Sequence, residues 1–205
     1  QLAGCGAELA AVTTAGGNAT ARECALNTLG LLELLGLGHV EVAVGAEAPL
    51  RRPAETTPET HGEGGIGHAR VPRLPERLSP RSAVDVWVDE LRAHPGETTI
   101  LCTAPLTNLA LALRAEPRLP ELAAGIVVMG GAFLYPGNTT PTAEWNTWCD
   151  PDAAKEVYAA FEGLFVGGIS FMFTAPIQGV AAGALIMQAV LATLGVFIGM
   201  LFVYK

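Results

Sequence analysis

The sequence has no CxxC pair and no Cys/His cluster. Its four cysteines, Cys5, Cys24, Cys102 and Cys149, are widely spaced. That excludes a zinc site or a disulfide framework and leaves them as buried thiols. No block of Lys or Arg is present, and 12 basic residues stand against 20 acidic ones for a formal charge of −8. Nucleic-acid binding through a basic face is therefore excluded. Charged residues make up only 16% of the chain while half of it is apolar, which rules out a disordered or solvating chain. There is no initiating Met and no signal-peptide pattern at Gln1, so the sequence reads as an excerpt of something longer. Residues 163–204 contain no Asp, Glu, Lys or Arg. A soluble core seldom needs so long an uncharged run, and residues 1–161 and 162–205 are therefore read separately.

The first part alternates short β-type runs with helical patterns. Glu8–Thr14 reads as a strand, followed by a turn at Gly16, Gly17 and Asn18. Thr20 and Glu23 fit a capping box, opening a helix to about Leu35 with Ala25, Leu29, Leu32 and Leu35 near one face. Gly36 and Gly38 stop it, and Val40–Val44 is the next strand. Gly45–Pro80 is rich in Pro, Gly, Thr and charge, too long for an ordinary connection, and reads as a functional or disordered loop. Ser79-Pro80 reads as a cap opening a helix to about His94. Thr98–Thr103 is a strand, Pro105 opens a helix through Leu113, and Gly125–Met129 is a buried strand. Asp150 caps a last helix, with Pro151 at its first position, running through Ala160. The expectation is an α/β fold, a mostly parallel sheet with flanking helices. Ligands of such sheets bind beyond the carboxyl ends of the strands, so the loops Thr13–Asn18, Gly45–His68, Thr103–Asn108 and Gly130–Asn146 are the places for a site.

Five segments in those loops carry a resemblance. They are Thr13-Thr14-Ala15-Gly16-Gly17-Asn18, His61-Gly62-Glu63-Gly64-Gly65-Ile66-Gly67, Thr103-Ala104-Pro105-Leu106-Thr107-Asn108, Val127-Val128-Met129-Gly130-Gly131-Ala132, and the stretch Gly137–Asn146 followed by Asp150-Pro151-Asp152-Ala153-Ala154. In this order they resemble the TTxxGN, HGxxGxG, TGPLTN, VxMGGA and GNxxPxAEFNxxxDPEAA motifs of the inosine/uridine-preferring nucleoside hydrolases. The resemblance implies a nucleoside N-ribohydrolase, which splits a purine or pyrimidine ribonucleoside into ribose and free base through an oxocarbenium-like transition state. It implies a ribose pocket lined by Asn18, Asn138, Glu144 and Asn146. His61 would lie in a mobile loop over the nucleoside, and the Thr103 carbonyl would serve as a Ca²⁺ ligand. Amides donate to and accept from ribose hydroxyls, while a carboxylate accepts from them and favours a cationic sugar. Taken singly, each has a plainer reading: Asn18 and Asn138 as turn residues, His61 as a loop histidine, Thr103 as a strand end, and Glu144 and Asn146 as surface residues. Spaced two apart, those last two share a face only in an extended segment. Asp150 is a helix cap, and the sequons at Asn18 and Asn138 are accidental.

Nothing before Glu8 matches the family's DxDPxxDD strand, and its later His-Asp pair has no counterpart. The chain is therefore expected to hold calcium poorly, since a hard dication needs charged oxygens. No catalytic residue is assigned, little or no hydrolase activity is expected, and a sheet lacking its first strand should keep a gap.

The second part reads differently. Val180–Tyr204 holds 12 Leu, Ile, Val or Phe residues and no charge. As a helix it would span about 37 Å, enough for a hydrocarbon core of about 30 Å. Those residues contribute roughly −4 to −7 kcal/mol toward insertion, so a transmembrane helix is expected. Residues 162–205 resemble the end of bacterial Bax inhibitor family membrane proteins, and a join near Phe161–Glu162 suggests a fusion or chimera. The readings carried forward are a cytoplasmic hydrolase domain with a ribonucleoside substrate, a fragment of a multi-pass membrane protein, and a membrane-tethered ribose-binding module. A homo-oligomer is compatible with the first.

Overall fold

The structure, a computed structural model, describes residues 7–132 and 136–161. The chain divides into two compact units, Gln1–Tyr158 and Ala159–Lys205, and the architecture below is that of the first. Strand β1 (Ala11–Thr14), helix α1 (Ala21–Leu34) and strand β2 (Glu41–Val44) form one β-α-β unit, in which β1 and β2 pair in parallel with Val12 opposite Val42. A long connection then carries a short helix α2 (Pro58–His61) and a 3₁₀ turn at Pro75–Arg77 before α3 (Ala83–Ala93). Strand β3 (Thr99–Cys102), helices α4 (Thr107–Ala115) and α5 (Leu119–Leu122), and strand β4 (Gly125–Val128) repeat the pattern, with Leu101 opposite Val127, again in parallel. Helix α6 (Trp145–Cys149) and a helix over residues 151–161 follow.

The parallel α/β expectation holds for the described residues, but as two strand pairs, β1-β2 and β3-β4, with no ladder joining them. The β1-β2 pair is packed on α1 by its apolar residues. Ala25, Leu29 and Leu32 of α1 bury against Val40 and Val42, with Val12 and Val44 packed around them. In β3, Ile100 and Cys102 are buried while Leu101 is half-exposed beside the half-exposed Val127. Parallel strands are normally covered on both faces, so this apolar face is only half covered by the described residues.

Several local expectations are corrected. Leu35 does not share the buried face of α1. It is 69% exposed, because the helix ends at Leu34 and the chain turns at Gly36. Of the capping box, only half forms. Thr20 Oγ1 accepts from the Glu23 amide, but the Glu23 carboxylate turns to Arg73, and the Ala21 and Arg22 amides are instead capped by Glu47 at 2.7 and 2.9 Å. The third helix starts at Ala83, not Pro80. Ser79 is occupied with β2, donating its amide to the Val42 carbonyl and its hydroxyl to Glu41, so Ser82 takes over as cap for the Asp85 amide. The 45–80 stretch is not a plain loop, since α2 and the 3₁₀ turn lie within it. Among the described residues no helix is long and apolar enough to cross a membrane. The expected span at 180–204 and the Bax inhibitor-like tail lie outside the described residues.

Candidate functional site

The loops after β3 and β4 build one hydrogen-bonded group. Asn146 donates through Nδ2 to the Met129 carbonyl at 3.0 Å and to the Thr103 carbonyl at 3.4 Å. One side chain thus gathers the carboxyl ends of both strands. Glu144, 8% exposed, accepts from Asn146 N at 2.9 Å, Thr147 N at 3.1 Å and Gly131 N at 3.1 Å. It is therefore the N-cap of α6 and also the tie to the turn after β4. The segment 144–146 is not extended: Glu144 precedes the helix and Asn146 lies inside it. Asn138 joins the group by accepting from Trp145 N at 2.8 Å through Oδ1. The segment from Gly137 to Ala143 folds back on itself, with Thr139 N donating to the Ala143 carbonyl. A side chain at Gly137 would run into that same carbonyl, which is why glycine stands there.

A carboxylate has about four acceptor positions. Three of Glu144's are taken by backbone amides, and Oε1, with one donor, keeps room for a hydroxyl. Asn146 spends its amide NH₂ on carbonyls and keeps Oδ1 as an acceptor. Both are fixed before any ligand arrives. Beside them lies a cleft of about 170 Å³ whose walls include Arg52, Gly131, Thr142, Glu144, Thr147 and Trp148. That is smaller than the ~300–1,000 Å³ of pockets for drug-sized molecules and suits a sugar ring better than a whole nucleoside. Trp148 stacks on Trp145 with ring centres 5.4 Å apart, and the Arg52 guanidinium lies 5.6 Å from the Trp148 ring centre. Such a cation–π contact rigidifies the wall.

Asn18 and His61 form a second group, in the loops after β1 and β2. Asn18 is exposed, and its carbonyl accepts from Thr57 N, while the Thr57 carbonyl accepts from His61 N at the end of α2. The glycine loop after His61 is anchored rather than free. Asn27 Nδ2 donates to the Gly64 carbonyl at 2.7 Å, and Arg73 braces Asn27 and Glu23 alongside. Among the described residues no hydrogen bond joins this group to the first. The structure thus brings Thr103, Asn138, Glu144 and Asn146 together, while among the described residues Asn18 and His61 are linked through the backbone of Thr57, apart from that set.

The described residues do not fit a calcium site. No cluster of three or more His, Cys, Asp or Glu that could hold a metal is found among them. At the Thr103 carbonyl the neighbouring oxygen is another neutral carbonyl, that of Met129, and the nearby carboxylate of Glu144 is committed to amides. A hard dication needs charged oxygens.

Cys102 and Cys149 are buried. Desolvation pushes Cys102 up to about 12 and Cys149 up to about 11. Sequence reasoning missed Met129, Glu47, Asn108 and Arg52. Of these, Met129 and Asn108 sat in recognised segments, without a role assigned to either. Glu47 acts on a helix 25 and 26 residues before it, and no local pattern reports such a contact.

The chain matches the family model described as "Inosine-uridine preferring nucleoside hydrolase" over residues 2–187, which runs past Phe161. It is 35% identical over 164 residues to "Uridine nucleosidase 1" of Arabidopsis thaliana, covering 80% of this chain and 49% of that one. It is 37% identical over 171 residues to the "Pyrimidine-specific ribonucleoside hydrolase RihA" of Citrobacter koseri, covering 83% and 54%. Among solved structures, the "Purine-Preferring Ribonucleoside Hydrolase from Gardnerella vaginalis" superposes with a TM-score of 0.72 at 31% identity over 75% of this chain and 50% of that one. A plant nucleoside hydrolase, PpNRh1, gives 0.71 at 32% over 75% and 49%. The chain spans about half the length of the curated relatives it matches.

Proposed function

The chain belongs to the inosine-uridine preferring nucleoside hydrolase family, and on that premise we propose that its described residues form the sugar-gripping part of a nucleoside N-ribohydrolase. The observation that carries the reading is the Thr103–Asn146–Glu144–Asn138 group, whose amide and carboxylate oxygens are pre-oriented at the ends of two parallel strands. Asn146 Oδ1 and Glu144 Oε1 would accept from ribose hydroxyls. The fixed anionic charge of Glu144 would favour a sugar that becomes cationic as the N-glycosidic bond breaks. His61 and Asn18 would approach the base or sugar from the loops after β1 and β2. Calcium enters this reading only with carboxylates from outside the described residues.

A second reading has an observation of its own. In the group around Asn146 the carboxylate is engaged by backbone amides, so none is free there to activate water. That favours a ribose-binding module without turnover. One experiment separates the two. The full chain is titrated with inosine and with uridine by calorimetry, and free base is followed by chromatography, with and without Ca²⁺. Saturable binding with base release supports the hydrolase, and binding without release supports the module. Absence of binding by either nucleoside refutes both.

The domain is proposed to lie in the cytoplasm, with residues 180–204 as a membrane anchor. The support for the anchor is their uncharged, apolar length. Extraction of the expressed chain only by detergent is expected, and free solubility would overturn the anchor.

A further inference from the structure

We infer that Asp150 and Asn108 form a clasp that positions the loop after β2 against both groups of site residues. The inference rests on the ribose-binding reading for its functional consequence, not for its geometry.

Asp150 is 1% exposed, and among the described residues no basic side chain hydrogen-bonds to it. Its Oδ1 accepts from Ala153 N at 3.0 Å, the helix cap expected from the sequence. Its Oδ2 does something a cap does not require. It accepts from Leu50 N at 2.9 Å and from the Thr107 hydroxyl at 2.7 Å. One carboxylate therefore joins the helix over 151–161, the start of α4, and the loop after β2. Asn108, 5% exposed and next to Thr107, works from the other side. Its Nδ2 donates to the Thr14 carbonyl at the end of β1 at 2.9 Å, and its Oδ1 accepts from Ala46 N at 2.8 Å. Gly45 lies against that amide so closely that a Cβ there would collide with both Asn108 and the Thr14 carbonyl.

The segment from Ala46 to Leu50 is thus held at both ends by neighbouring residues of α4 and by Asp150. Between and just after those anchors sit the side chains that reach the two site groups. Glu47 caps the start of α1 directly after the Asn18 turn. Arg52 covers Trp148 and donates to its carbonyl at 3.1 Å, at the wall of the cleft that holds Glu144. Among the described residues the two site groups share no hydrogen bond of their own, and this loop contacts both. Buried hydrogen bonds to a charged acceptor are strong and costly to leave unmade, which is what a positioning element needs. Both residues are positioning residues, since neither is placed in contact with a ligand.

The test uses Asp150→Asn in the full chain. Asparagine caps a helix about as well as aspartate, so the Ala153 contact survives. The Thr107 hydroxyl can turn to accept, but the new NH₂ faces the Leu50 N–H, donor against donor. Hydrogen exchange by mass spectrometry is expected to show faster exchange in the 46–52 peptide, with the 151–158 peptide unchanged. Inosine affinity, measured well below the melting temperature, is expected to fall at least tenfold. Thr107→Val should shift both readings in the same direction but less. Unchanged exchange at 46–52 overturns the clasp. Faster exchange there with affinity changed less than twofold overturns its role in positioning. If the unsubstituted chain binds no nucleoside, the functional reading fails, and the exchange result still decides the clasp.

Discussion

Replacing Glu144 by Gln tests whether its carboxylate is first a structural acceptor. The side chain is 8% exposed and accepts from three backbone amides, those of Gly131, Asn146 and Thr147. A Gln oxygen can keep two of these donors but loses their charge assistance, about 0.5–1 kcal/mol each, since charged hydrogen bonds are worth roughly twice neutral ones. Its NH₂ then faces the third donor, and a buried unsatisfied group costs about 1–3 kcal/mol. The sum is roughly 2–5 kcal/mol, a large share of the ~5–15 kcal/mol stability of a domain. Urea unfolding followed by tryptophan fluorescence reads it directly. With an m-value of about 2 kcal/mol/M, the middle of the ~1–3 range for small proteins, the midpoint should fall by about 1–2.5 M. Glu144→Asp keeps the charge and a good cap but is one methylene shorter, so it should recover the Asn146 and Thr147 contacts and lose the one to Gly131. A Gln variant within about 0.5 kcal/mol of the original would refute the reasoning. The carboxylate would then be bonded too weakly to hold α6, and free for a ligand instead.

Leu109→Ala removes a fully buried side chain of α4 and should cost about 2–5 kcal/mol in the same unfolding assay. Gly45→Ala should also destabilise, because the added methyl meets Asn108 and the Thr14 carbonyl. A melting temperature equal to that of the unsubstituted chain would contradict that close approach. Arg92 first, and Arg118 second, hold the Glu116 carboxyl down to about 2 from its ordinary 4.5. A depressed acid contributes stability above its unfolded value and loses it as the proton returns, so stability should fall from about pH 4.5 down through about pH 2. Glu116→Gln should flatten that part of the pH–stability curve. Alkylation by iodoacetamide at pH 8 should label Cys102 and Cys149 only after unfolding, since burial raises both thiols far above that pH; rapid labelling in the folded chain would show them exposed.

How much of this was legible depends on the range of the interaction. Every strand and the longer helices could be found from runs of apolar residues and turn signals, because strand and helix periodicities are local properties. The Asp150 cap and the Gly36 stop were legible for the same reason. The short helices α2, α5 and α6, of four or five residues, were not, since such lengths leave no periodic stripe to read. Ser79 misled because its hydroxyl and amide went to β2, a partner distant in sequence. The five motif segments were legible as a family pattern, and the resemblance placed Asn18, Asn138, Glu144 and Asn146 in one pocket, with Thr103 apart from it as a metal ligand and His61 in the loop above.

By itself, then, the sequence determined the alternation of strands and helices, the parallel pairing, the uncharged run at 163–204 and the family. Only the tertiary structure decided which acceptors were spent on backbone amides and which stayed open. Only it divided the site residues into two groups and gave their linkage to Asp150, Asn108 and Glu47. Those contacts join residues 25 to 100 positions apart. A buried polar group must find its partner wherever the packed chain brings one, and no local pattern encodes that distance.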